Sequence, residues 1–71
     1  MNKNEKIYIL KKCQEHFQKA IMTQFTNPYE CIINIGAGRT LKKIIEEFID
    51  CQSNPYYTMY QYIVKLSNKL D

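Results

Sequence analysis

Three cysteines and one histidine, Cys13, His16, Cys31 and Cys51, are the residues of this 71-residue chain best suited to do chemistry. Three Cys and one His match the ligand count of a closed, tetrahedral zinc site. Their spacing does not match. Structural sites bring ligands in close pairs, and here only Cys13 and His16 are close, three apart on one helical turn. The remaining intervals between cysteines are 18 and 20 residues. Cys also serves widely as a small buried hydrophobe. No metal is therefore expected, and His16 is expected in solvent or at a helix edge. A Cys nucleophile with a His base would need a third group to orient the base, and a pocket. The sequence provides neither at workable spacing.

The segment Ile32-Ile33-Asn34-Ile35-Gly36-Ala37-Gly38-Arg39-Thr40-Leu41 has the order of a phosphate-binding turn: apolar run, glycines, then a helix. Such turns bring backbone N–H groups onto the ligand. Leu41, however, stands where a dinucleotide fingerprint needs its third Gly, and no Gly-Lys-Ser/Thr follows. The chain also lacks room for the parallel sheet that these sites require. No cofactor is expected. The carboxylates Glu46, Glu47 and Asp50 sit among lysines and read as a solvated face. No catalytic residue is assigned, and the chain is expected not to be an enzyme.

Two groups of residues point to binding instead. Lys3, Lys6, Lys11, Lys12 and Lys19 form a loose basic strip, of which Lys11, Lys12 and Lys19 are the candidate phosphate contacts. Tyr56, Tyr57, Tyr60 and Tyr62 fall within seven residues. A helix turns only about half its circumference into a small core, and Tyr56, Tyr60 and Ile63 fill that half. Tyr57 and Val64 then make a second stripe, and Tyr62 points elsewhere again. Tyr is enriched at interfaces because it buries area while its hydroxyl keeps a polar partner. Tyr57, Tyr60, Tyr62 and Val64 are the candidate protein interface.

The elements that position these residues follow from the punctuation. Asn27-Pro28-Tyr29 and Asn54-Pro55-Tyr56 each pair a strong N-cap with a proline suited to the first helical position. Glu30 then stands where a capping box wants it. The first segment carries Leu10, Cys13, Phe17, Ala20, Ile21 and Phe25 at helical steps. The last carries Tyr56, Met59 or Tyr60, Ile63, Leu66 and Leu70. The middle segment admits two readings: one helix from Pro28 to Cys51, or a glycine break with a helix from Thr40. A helix starting at Thr40 would put Lys42 and Lys43 at its positive end, against the macrodipole. In one long helix they instead pair with Glu46 and Glu47 at i,i+4. Each interior Gly then costs about 1 kcal/mol. The balance favours one helix, with Gly36 and Ala37 on the packed face and a kink admitted at 36–38. The expectation is an all-α three-helix bundle, with helices at about 4–25, 28–51 and 55–70, in a single domain over 1–71.

Composition sets the remaining bounds. Seventy-one residues make at most one domain with a marginal core. Hydrophobic residues at 45% and charged ones at 24% suit a folded globular chain. A net charge of +3 is sparse for sequence-independent nucleic-acid binding. No apolar run is long enough for a membrane span, and the lysines near the start do not suit a secretory leader. An odd cysteine count fits a reducing cytoplasm. The abundance of Lys, Asn, Ile and Tyr fits an AT-rich coding sequence, as in a low-GC bacterium or its phages. The functional expectation is a small, cytoplasmic, non-enzymatic regulator or inhibitor, phage- or mobile-element-like, that docks helical faces on another protein or on a second copy as a homodimer. The alternative is a nucleic-acid-binding protein that uses the lysine strip.

Overall fold

Asn2 starts the first helix, α1 (Lys3–Thr23). Its Oδ1 accepts from the Glu5 N–H at 2.9 Å, and the Glu5 carboxylate accepts from the Asn2 N–H at 3.0 Å. This reciprocal capping box satisfies two otherwise orphaned donors. It also explains why the helix begins slightly before the expected 4. The structure is a computed structural model and describes residues 1–71. α1 ends at Thr23, before the expected 25, where the Asn27 N–H reaches back to the Thr23 carbonyl. Leu10, Cys13, Phe17 and Ala20 recur at helical steps and are buried. Phe25, expected to continue that stripe, lies beyond the helix end and is 89% exposed.

The second helix, α2 (Pro28–Phe48), opens on Pro28 with the Asn27 side chain accepting from the Glu30 N–H. The Glu30 carboxylate does not complete a capping box. It pairs with Lys19 of α1 at 2.9 Å. The helix runs unbroken through Gly36 and Gly38, neither of which has a positive φ. Of the two expected i,i+4 pairs, Lys42–Glu46 forms at 2.9 Å and Lys43–Glu47 does not. The helix stops at Phe48 rather than Cys51, with Ile49 extended as its cap.

The third helix, α3 (Tyr56–Lys69), starts one residue after the expected 55 and ends one before the expected 70. Its proline phrase works differently from the first. The Asn54–Pro55 bond is cis. The Asn54 side chain accepts from both the N–H and the hydroxyl of Thr58, rather than from the third residue of a helix begun at Pro55.

The result is an all-α three-helix bundle with α1 in the middle. α2 returns antiparallel to α1, and α3 runs alongside α1 in the same direction. Lys6 near the start of α1 lies over the Tyr56 ring, while Gln18 near its end meets Tyr62. α2 and α3 each pack mainly on α1, and they meet one another through the shared core and the contacts of Tyr60 with Glu46 and Lys42. Leu10, Cys13 and Phe17 of α1, Ile45 and Ile49 from α2 and its cap, and Ile63 and Leu66 of α3 form one core. Fully burying a Leu, Ile or Phe side chain contributes roughly 1.5–3 kcal/mol. Only 11 of 71 residues are buried, so no single core position is dispensable.

The inner face of α2 is rotated from the one expected: Ala37 is half-buried, but Gly36 is not on it. Cys31, Asn34, Gly38 and Ile45 face α1, whereas Gly36 is exposed with nothing near it. The steric reason lies across the interface. A Cβ built on Gly38 would stand 2.7 Å from the Phe17 ring, so the ring occupies the space a side chain would need. Cys13 donates from Sγ to the Gly38 carbonyl at 3.3 Å. One turn away, Asn34 Nδ2 donates to the Glu30 carbonyl, which leaves Oδ1 to accept from His16 Nδ1 at 2.9 Å. His16 is thus a partly buried bridge between α1 and α2 rather than a solvated residue. Its Nδ1 must carry the proton in this arrangement.

Candidate binding surface

Two of the residues best suited to chemistry, Cys13 and His16, are held in structural contacts. Cys13 is fully buried, and burial pushes its thiol up to about 12. A thiol so rarely ionised is a poor nucleophile. His16 is occupied by Asn34, and no three His, Cys, Asp or Glu side chains converge on one point. On the α2–α3 side, Glu46 accepts from the Tyr60 hydroxyl and from Lys42 Nζ. Those two donors hold its carboxyl below the ordinary value. Burial first, and then the hydrogen bond to Glu46, push Tyr60 up to about 12. An ionised carboxylate below a neutral phenol is a stable pair, with neither group poised to take or give a proton near neutral pH. A groove of about 690 Å³ lies beside it, lined by Ile49, Asp50, Tyr57, Tyr60 and Gln61 among others.

The four interface candidates on α3 do not form one surface. Tyr60 is half-buried and tied to Glu46. Tyr57, 49% exposed, and the half-buried Val64 share its flank of the helix. Tyr62 lies on the other flank, where its hydroxyl accepts from Gln18 at 3.3 Å. Tyr56, expected in the core half, is only half-buried. The tyrosine surplus therefore divides between helix contacts and two separate edges.

The lysine strip is also divided. Lys12 pairs with Glu15 at 3.6 Å and Lys19 with Glu30 at 2.9 Å. Of the three candidate phosphate contacts, Lys11 alone has no carboxylate partner. A strip whose charges are locally compensated projects a weak field.

The most apolar exposed surface is on α2. Tyr29, Ile32 and Ile33 are 76%, 68% and 52% exposed, and Gly36 completes their face. At about 100° per residue, this stripe lies directly opposite the buried face of Cys31, Asn34, Gly38 and Ile45. Phe25 adds a further exposed ring just before the helix. Along the same line the second half of the helix turns polar, with Thr40, Lys43 and Glu47. Tyr29, Ile32 and Ile33 thus share the outer face with Gly36, which was expected on the packed one. α2 carries two stripes with a glycine in each, and the one with Gly38 is the one that fits against Phe17. Comparison with protein-family models, curated proteins and solved structures gives no match.

Proposed function

We propose that this chain is a non-enzymatic protein-binding module whose docking surface is the outer face of α2. The observation that carries the proposal is the exposed stripe Tyr29, Ile32, Ile33 and Gly36, with Phe25 beside it. Isolated exposed hydrophobics are ordinary, but a grouped apolar patch marks an interaction site. Here the patch covers half of one helix, on a chain with a small core. A regulator or inhibitor that seats a helix on another protein fits this arrangement. The carboxylate pairing of Lys12 and Lys19 weighs against the nucleic-acid alternative. The flank of Tyr57 and Val64 remains a smaller second surface.

A photo-crosslinking residue at position 32 tests this, with position 43 on the polar half of the same line as control. A discrete protein adduct is expected from position 32 in the cells that make the protein, and none from position 43. Equal labelling at both positions, or none at either, removes the basis of the proposal.

A further inference from the structure

We infer that the occupant of the α2 stripe is a second copy of this chain, packed with its own α2 antiparallel to the first about a two-fold axis. The inference rests on reading that face as a binding surface and names its partner. Four observations support it.

The stripe is self-complementary. In an antiparallel, two-fold pair, residues whose numbers share one sum face each other. An axis passing between Ile32 and Ile33 sets Ile32 of one copy against Ile33 of the other. The same axis sets Tyr29 against Gly36, three and a half residues to either side. The bulkiest residue of the stripe thus meets the one position that has no side chain. A parallel pairing would set ring on ring and leave the glycine gap empty.

Gly36 has no role within one chain. A Cβ there would meet nothing within 4 Å, and φ is ordinary for a helix. A glycine inside a helix is nonetheless unfavourable by about 1 kcal/mol relative to alanine. Close approach of a second chain supplies a reason that the monomer lacks. Gly38 has its reason inside the chain, in the Phe17 ring.

The polar group at the edge of the stripe is already satisfied. The Thr40 hydroxyl donates to the Gly36 carbonyl at 2.9 Å. Covering it strands no donor.

The area is of the right size. Large side chains present about 150–250 Å² each when open. At their exposures, Phe25, Tyr29, Ile32 and Ile33 together offer on the order of 500 Å² of apolar surface. Thr26 and Arg39 at the rim raise this towards the roughly 800 Å² per partner of a stable complex. The molecule measures 36 × 18 × 17 Å, so the stripe runs along its long side, and two copies lie flank to flank.

Sedimentation and light scattering decide the matter, with circular dichroism to check the fold. At roughly 100 μM chain, the expected mass is twice the 8.5 kDa of one chain. Gly36→Leu fills the gap that receives Tyr29, and Ile32→Glu charges the centre. Each should weaken association by about 30-fold or more, the scale of losing an interface hot spot. Both positions are open to solvent in one chain, so the variants remain helical. Tyr57→Ala should leave association unchanged. A dimer that tolerates both α2 changes and is lost with Tyr57→Ala overturns the inference in favour of α3. A strict monomer overturns it too, and crosslinking at position 32 then separates the two claims. An adduct with a different protein keeps the binding surface and removes the second copy; no adduct removes both.

Discussion

Replacing Gly38 with alanine opposes two effects whose sizes the structure sets. A helical Gly→Ala change gains about 1 kcal/mol from propensity. At position 38 the new methyl would stand 2.7 Å from Phe17 Cε1 and 2.9 Å from both Cδ1 and Cζ. Carbon atoms in good contact sit about 3.5–4.0 Å apart, so the ring must move by several tenths of an ångström. Phe17 is 1% exposed, and its neighbours Leu10, Cys13 and Ile45 are fully buried. The ring has nowhere to go without displacing α2 from α1. Overpacking typically costs about 1–3 kcal/mol, and three contacts under 3 Å against a buried ring put this case in the upper part of that range, about 2–3 kcal/mol. The net expectation is a loss of about 1–2 kcal/mol after the propensity gain. For a domain of this size each kcal/mol moves Tm by about 4–8 °C, so Tm should fall by roughly 5–15 °C.

Gly36→Ala supplies the control, because its methyl enters open space and keeps the gain of about 1 kcal/mol. Both changes belong in an Ile32→Glu background, where association does not contribute to stability. Thermal and urea unfolding, followed by circular dichroism, give the two values. If Gly38→Ala proves neutral or stabilising while Gly36→Ala behaves as stated, then Phe17 does not hold α2 at the distance described.

The remaining predictions concern ionisable groups. Glu46 is ionised more readily in the folded chain because Tyr60 and Lys42 donate to it, so its contribution is complete above the ordinary carboxylate range and fades as the pH falls through that range. Tyr60→Phe should flatten the acid side of a stability profile; an unchanged profile would remove Glu46 from the account. Tyr60 itself titrates near 12, and its contribution fades on the alkaline side as the pH passes from about 10 towards that value. A phenolate absorbance titration should lose this late step in Tyr60→Phe. Native alkylation should reach the half-buried Cys51 first and leave Cys13 untouched until the chain unfolds. Early labelling of Cys13, read by peptide mass, would mean that the α1–α2 contact opens readily.

Most of the architecture is legible from local rules. Asn27 and Pro28 set the start of α2 because capping and proline geometry depend on only a few neighbouring residues. The Lys42–Glu46 pair is legible for the same reason. Asn2 and Glu5 carry the same kind of local signal, an N-cap followed by an acidic third residue. The orientation of α2 is different. Its first half is apolar at Tyr29, Ile32 and Ile33 and also at Cys31 and Ile35, and periodicity gives a stripe without saying which one turns inward. The choice belongs to the other helix. Phe17 needs an empty position opposite it, and Gly38 meets that need where Ile32 could not. His16 and Asn34 were illegible for a related reason: a buried polar pair is stable only when both partners meet, and they lie 18 residues apart. The α3 tyrosines were legible as surplus aromatic surface, but their division between two edges depends on where α1 and Glu46 stand.

The central position of α1 also bears on how the chain reaches this form. Each later helix packs on α1, the first that the chain presents. α2 needs only the short turn 24–27 to swing back onto α1, and α3 follows the link 49–55 to lie beside α1, where Tyr60 meets Glu46 of α2. No segment has to thread past another, and no helix waits for a partner further along the chain than the next but one. Such near-neighbour topology keeps loop-closure entropy low and favours rapid folding. Ile63 and Leu66 carry the third helix into the same core.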